Sequence, residues 1–167
     1  MPVSIERLNA QHQRSGFDCG DPLLNDFLQR QAGQVARRGY GKTYVALADA
    51  GLDVLGFITL SVGQLASAHL PQNLKLPRYP APVLRIGRLA VDLAVQGQGV
   101  GQQLMSFALQ LSLEFSHQVG LYAVLVEAKQ NRVKAFYEAL GFIATLDDPL
   151  CLYLPISTLQ KLVAKQP

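Results

Sequence analysis

The residues with the clearest capacity for chemistry run from Gly87 to Leu104, G-R-L-A-V-D-L-A-V-Q-G-Q-G-V-G-Q-Q-L. The run ends an apolar strand, crosses a glycine-rich turn and opens a helix. Gly97, Gly99 and Gly101 permit positive φ and bring bare N–H groups close to a ligand. The helix that follows adds unpaired N-terminal donors and a positive dipole end. A phosphate or pyrophosphate suits that geometry. Two common phosphate motifs fail on spacing. A dinucleotide fingerprint needs glycine where the chain has Gln102, and a P-loop needs Gly-Lys-Ser or Gly-Lys-Thr, whereas no lysine follows Gly101 until Lys129. Three glycines in an ordinary strand-to-helix connection stand as the alternative to an anion site.

What the spacing leaves, Gln96-x-x-Gly99-x-Gly101 after a strand ending Leu89-Ala90-Val91, resembles the pyrophosphate loop of the GCN5-related N-acetyltransferases, the GNAT superfamily. A second motif, N-R-V-K-A-F-Y-E-A-L-G-F from Asn131, puts Asn131, Ala135, Tyr137, Gly141 and Phe142 at the spacing of the same superfamily. The resemblance implies an α/β GNAT fold, a mixed central sheet of about six to seven strands with splayed fourth and fifth strands, flanked by about four helices. It implies acetyl-CoA as acetyl donor. Leu89, Ala90 and Val91 are then the strand end whose backbone pairs with the pantetheine. Gln96, Gly97, Gln98, Gly99, Val100, Gly101 and Gln102 form the pyrophosphate cradle, and Asn131 reaches the pantetheine. Tyr137 is implied beside the thioester sulfur as the acid that protonates the leaving thiolate.

Elementary chemistry supports that assignment, since a phenol of pKa about 10 stays protonated at neutral pH and can give a departing thiolate its proton. The alternative is that Phe136-Tyr137, before a helix ended by glycine, are core aromatics, with Phe136 the packing member. Asn131 also reads as a helix N-cap, because asparagine is among the preferred capping residues. No general base stands out. Glu127 and Asp92 end strands near the implied site, and each reads equally as a cap or as a partner of Arg132 or Arg88. His12, His69 and His117 are isolated in sequence. An α-amine, with pKa about 7.7 to 8.0, has a sizeable neutral fraction near neutral pH, whereas a lysine at about 10.4 needs stronger help, so an α-amine acceptor fits a site without a strong base.

F-D-C-G-D-P-L-L-N-D-F-L from Phe17, K-T-Y-V-A from Lys42, P-V-L-R-I-G-R-L-A-V-D from Pro82 and Q-G-Q-G-V-G from Gln96 resemble one branch of the superfamily. That branch is the acetyltransferase toxins of toxin-antitoxin pairs, which acetylate the α-amine of aminoacyl-tRNA and are neutralised by small ribbon-helix-helix antitoxins. The resemblance also implies a homodimer. Asn131-Arg132-Val133 departs from the acidic and alanine-bearing stretch of the branch. Basic residues suited to RNA phosphates are Arg30, Arg37, Arg38 and Lys42 near the end of the first helix, and Lys75, Arg78, Arg85 and Arg88 in or beyond a proline-rich loop. Of these, Arg37, Arg38, Arg78 and Arg88 are the candidate tRNA contacts; a solvated helix end is the plainer reading. A small amine or a protein N-terminus is the alternative acceptor, and a non-catalytic CoA-binding or antitoxin-binding module is the alternative of another class.

The elements that must position these residues follow from periodicity. Val3–Leu8 reads as a strand, and Leu23–Ala36 as an amphipathic helix opened by Asp21-Pro22 and closed before Gly39. Thr43–Ala48 and Leu55–Val62 read as a hairpin, and Gly63–Pro82, with four prolines, mainly as a surface loop. Val83–Val91 reads as a central strand with a bulge at Gly87. The helix after the turn buries Val100, Leu104, Phe107, Ala108, Leu111 and Phe115, leaving Gln102, Gln103, Ser106, Gln110 and Glu114 outside. Then come a strand Leu121–Val126, a helix Asn131–Leu140 ended by Gly141, a strand Leu150–Leu154, and a short helix capped by Ser157 with Leu159, Leu162 and Val163 buried.

At 167 residues and 49% hydrophobic, the chain has the size of one N-acetyltransferase domain, 1–167. Its charged N-terminus and lack of a long apolar run point to a cytoplasmic protein off the membrane. Cys19 and Cys151 are too few for a disulfide framework or a zinc site and read as plain thiols, and no metal is expected. A net charge of +3 with a pI near 9.0 favours an anionic partner, satisfied by a phosphate-bearing coenzyme or by nucleic acid.

Overall fold

The β-branched and apolar runs form seven strands: β1 Ser4–Arg7, β2 Lys42–Leu47, β3 Val54–Leu65, β4 Ala81–Val91, β5 Ala123–Glu127, β6 Ile143–Ala144 and β7 Cys151–Pro155. The structure, a computed structural model, describes residues 1–165. One mixed sheet has the order β1-β2-β3-β4-β5-β7-β6. β2 pairs antiparallel with β1 and β3, β7 pairs antiparallel with β5 and β6, and β4 runs parallel to β5. A parallel pair needs a crossover. α3, Val100–Ser116, lies in the β4–β5 connection. The parallel ladder runs from Val83–Ala123 to Ile86–Val126, whereas β4 continues through Gly87 to Val91. β5 itself ends one residue beyond this ladder, at Glu127.

The chain folds as two compact units. The first comprises Met1–Ser61 and Gly87–Ala108. Its core gathers Phe17, Phe27, Leu28, Ala32, Val45, Leu47, Val54, Phe57 and Ala90. The Phe57 ring meets Phe17 edge-on at 5.6 Å and Phe27 at 6.1 Å. The first helix opens as expected, with the Asp21 carboxylate accepting from the Leu23 and Leu24 N–H groups. It is not one α-helix. α1, Pro22–Asp26, passes through a π-helical turn, Phe27–Gln31, into α2, Ala32–Arg37. The Ala32 N–H donates to the Phe27 carbonyl five residues back, so Phe27, Leu28 and Ala32 all reach the core.

β3 lies hard against α3 in this unit. A Cβ placed on Gly56 would lie 3.0 Å from the Ala90 carbonyl oxygen, 3.0 Å from Leu104 Cδ1 and 3.2 Å from Val100 Cγ1. We expect Gly56→Ala to destabilise the fold by about 1–3 kcal/mol through overpacking. Denaturant unfolding checks this, and an unchanged midpoint would contradict the close approach.

The second unit comprises Val62–Ile86 and the chain from Leu109 on. Its core includes Leu65, Leu70, Val83, Ala123, Leu125 and Tyr153, with Leu76 and Tyr122 packed against them. The proline-rich stretch is thus more than a surface loop: β3 extends to Leu65, two short 3-10 turns follow at Ser67–His69 and Gln72–Leu74, and Leu70 is sealed inside. His69 Nδ1 lies 2.6 Å from Asp147 Oδ2, and the His69 carbonyl accepts from the Leu146 N–H at 3.2 Å.

Four expectations about packing and capping are corrected. The buried stripe of α3 is Val100, Leu104, Met105, Ala108, Ser112 and Leu113, while Phe107, Leu111 and Phe115 are only half-buried. Gln102, Ser106, Gln110 and Glu114 are exposed as expected, but Gln103 is half-buried. α5, Ile156–Ala164, starts after Pro155, so Ser157 lies inside its first turn instead of capping it. Leu159 is buried, whereas Leu162 and Val163 are 43% and 44% exposed.

Candidate active site

The glycine turn belongs to the first unit and is held from both sides. Asp92 follows β4, its N–H donating to the Leu55 carbonyl at 2.8 Å, and its carboxylate accepts from the Ala94 and Asp18 N–H groups at 2.9 and 3.1 Å. Its carboxylate therefore fixes the short turn Leu93–Val95, a structural role instead of a base. Gly97 and Gly99 take φ of +80° and +86°, where other residues are strained. Gly101 is a correction: it sits in the first turn of α3 with no positive φ, and a Cβ there would make an ordinary 3.6 Å contact with Val91 Cγ2.

The side chains of this turn organise it. Gln96 Nε2 donates to the Val91 carbonyl at 2.9 Å and to the Cys19 carbonyl at 3.3 Å, closing the turn on the strand end. Gln103, which the sequence assigned to solvent, accepts from the Val3 N–H at 3.1 Å and donates to the Met1 and Gly99 carbonyls at 2.6 and 3.3 Å. No acidic residue stands in the first turn of α3. Its unpaired N–H groups and positive dipole end thus meet no carboxylate there, and open space surrounds the missing side chains of Gly97 and Gly99. These features fit a diphosphate. Gln98 and Gln102 are exposed, Leu89 and Val91 half-buried, and Ala90 buried.

The second unit carries α4, Asn131–Ala139, stopped by Gly141 at φ +102°. Gln130, not Asn131, occupies the N-cap position, with no side-chain bond, and exposed Asn131 is the first helical residue. Tyr137 is the buried aromatic of the helix and Phe136 the half-buried one, the reverse of the packing expected. The Tyr137 ring lies 5.4 Å from that of Phe136 and 5.6 Å from that of Phe142. Burial pushes the phenol up to about 12, so it holds its proton far beyond neutrality. Among the described residues no buried side-chain nitrogen or oxygen lacks a hydrogen-bond partner, so this hydroxyl is not a sealed, unsatisfied group.

The other candidates divide by environment. Glu127 is exposed and faces Arg85 at 3.3 Å. Arg88 places its guanidinium 3.7 Å above the Phe27 ring. Arg37 ends α2 and Arg38 caps it, both exposed, while Arg78 is exposed in the proline-rich stretch of the second unit. Buried His12 is engaged on both ring nitrogens, with Nε2 2.5 Å from Glu6 and Nδ1 accepting from the Asn9 N–H. Cys19 and Cys151 are free, and burial raises both thiols, which keeps them protonated.

A family model for the acetyltransferase (GNAT) domain matches residues 39–144. The chain belongs to the GNAT acetyltransferase family. This acetyltransferase is 31% identical over 159 residues to a tRNA-acetylating toxin of Mycobacterium tuberculosis, a match spanning 94% of each chain. Among solved structures it is similar to AtaT complexed with acetyl-methionyl-tRNAfMet, with a TM-score of 0.90, 30% identity and 97% and 99% of the two chains covered. It is also similar to a tyrosine-to-phenylalanine mutant of AtaT bound to the C-terminus of the antitoxin AtaR and acetyl-CoA, with a TM-score of 0.83, 28% identity and 98% and 99% covered. No helix among the described residues of the acetyltransferase is long and apolar enough to cross a membrane.

Proposed function

We infer that residues 1–167 act as one N-acetyltransferase domain that acetylates the α-amino group of aminoacyl-tRNA, as the toxin of a toxin-antitoxin pair. The likeness to a tRNA-acetylating toxin over nearly the whole length carries this reading. Acetyl-CoA supplies the activated acetyl group as a thioester. Gly97, Gly99 and the N-terminal amides of α3 bind its diphosphate, and the backbone of Leu89 to Val91 and the Asn131 side chain hold the pantetheine. Tyr137 delivers its phenolic proton to the sulfur as the amine nitrogen bonds to the acetyl carbon and the carbon–sulfur bond breaks, and the proton that the nitrogen sheds passes through water to restore the phenol. The α-amine is near neutrality, so positioning and that one proton suffice without a dedicated base. Arg37, Arg38 and Arg78 hold RNA phosphates, whereas Arg88 is turned against Phe27. The AtaT complex with an antitoxin segment supports an antitoxin as partner, of the ribbon-helix-helix kind that the sequence resemblance implies. A homodimer in the cytoplasm completes the reading.

Acetyl transfer to charged tRNA should fall steeply as salt rises, since each phosphate held by a cation contributes a slope of roughly −0.7 to −0.9 in log K against log salt. Transfer to a small neutral amine should stay nearly flat. Parallel salt dependences for the two acceptors would contradict phosphate-guided binding.

A further inference from the structure

A cavity of about 280 Å³ in the first unit is lined by β1, the segment after it, α2 and the start of β2, and four of its lining side chains are cations: Arg7, Arg14, Arg37 and Lys42. Among the described residues no carboxylate lines it. The whole chain has 15 basic against 12 acidic residues, so four cations around one small cavity are far out of proportion. Among the described residues none of the four forms an ion pair. Two are aimed by carbonyls instead: Arg14 Nη1 donates to the Leu28 carbonyl at 3.3 Å and Lys42 Nζ to the Ala36 carbonyl at 3.2 Å. A guanidinium has five N–H donors and an ammonium three, so each keeps donors for a ligand. The mutual repulsion of these cations is relieved by an anion. Two residues before Lys42, Tyr40 is 76% exposed, its N–H fixed to the Val35 carbonyl. Cations with an exposed aromatic ring are the combination that holds single-stranded nucleic acid, phosphate on charge and base on ring.

We propose that this pocket holds a backbone phosphate of RNA, with a neighbouring base stacked on Tyr40. The identity of the RNA rests on the aminoacyl-tRNA reading; the phosphate chemistry rests on the pocket. Arg7 and Arg14 enter here although nothing in the sequence associates them with Arg37 and Lys42.

The test is binding of uncharged tRNA, followed by fluorescence anisotropy over a salt series, beside calorimetry with acetyl-CoA. Arg7→Gln/Arg37→Gln should weaken binding alike for different tRNAs and reduce the salt slope by about one, while Arg7→Lys/Arg37→Lys should keep most of the slope. Tyr40→Ala should cost on the order of tenfold in affinity, and Tyr40→Phe much less. Parent affinity and slope in a glutamine variant that melts like the parent would overturn the proposal. Loss of acetyl-CoA affinity instead would assign the pocket to the phosphates of that donor, and loss of binding to an acidic peptide alone would assign it to a protein partner; either result overturns it. Uncharged tRNA requires no turnover, so failure here is distinct from failure of the acceptor assignment, which appears only in transfer assays.

Discussion

Tyr137→Phe should lower turnover by on the order of a hundredfold or more while leaving acetyl-CoA affinity close to that of the parent. The substitution keeps the ring between Phe136 and Phe142, at 5.4 and 5.6 Å, and removes only the hydroxyl. Packing and chemistry therefore separate in one variant. The phenol is pushed up to about 12 by burial, and an acid catalyst is competent below its pKa and lost as pH rises through it. The parent should thus show no alkaline loss of kcat from this group across the neutral and mildly alkaline range. Rapid-mixing measurement of thiol release, with calorimetry for binding, checks both parts. Parent-level turnover in the phenylalanine variant would leave Tyr137 as a core aromatic only.

Gly99→Val should weaken acetyl-CoA binding by on the order of tenfold or more. Nothing lies within 4 Å of a Cβ built at Gly99, so the cost is not crowding. It comes from φ of +86°, a region costly for any side chain and worst for a β-branched one. The turn can escape that strain only by rotating its peptides, which turns N–H groups away from the diphosphate. Gly101→Ala should cost less than Gly99→Ala, because Gly101 has no positive φ and its added methyl would meet Val91 at an ordinary 3.6 Å. Equal affinity for parent and Gly99→Val, in protein that melts normally, would remove the diphosphate from this turn.

Features set by local chemistry were legible in the sequence. Asp21-Pro22 opens a helix, Gly141 ends another, and Gly97 and Gly99 mark a turn with positive φ, because each depends on its own backbone and immediate neighbours. Features set by distant neighbours were not. The π-helical turn at Phe27–Gln31 uses residues that also fit a regular amphipathic helix, and only the core around Phe17 and Phe57 decides between the two. Glu127 pairs with Arg85 because the β4–β5 register sets Arg85 opposite Leu125, two residues away on the same strand. Gln103 looked like a solvent residue by helical spacing until the Met1–Val3 segment came to lie against it. β6, only two residues long, is too short to leave a periodic signal. Leu70 was hidden among prolines that mark surface turns, although its side chain is 1% exposed. In the candidate site, the glycine turn and Tyr137 came from motif spacing, whereas the bonds of Gln96 to Val91 and Cys19 needed coordinates.

The acceptor assignment is tested most directly by following labelled acetyl from acetyl-CoA into a panel of charged tRNAs at low salt, with uncharged tRNA and tRNA carrying a blocked α-amine as controls and a small primary amine as competitor. The expected result is label on the α-nitrogen of the esterified amino acid, absent from both controls and lost with Tyr137→Phe. Brisk acetylation of the small amine with no label on any charged tRNA would contradict it.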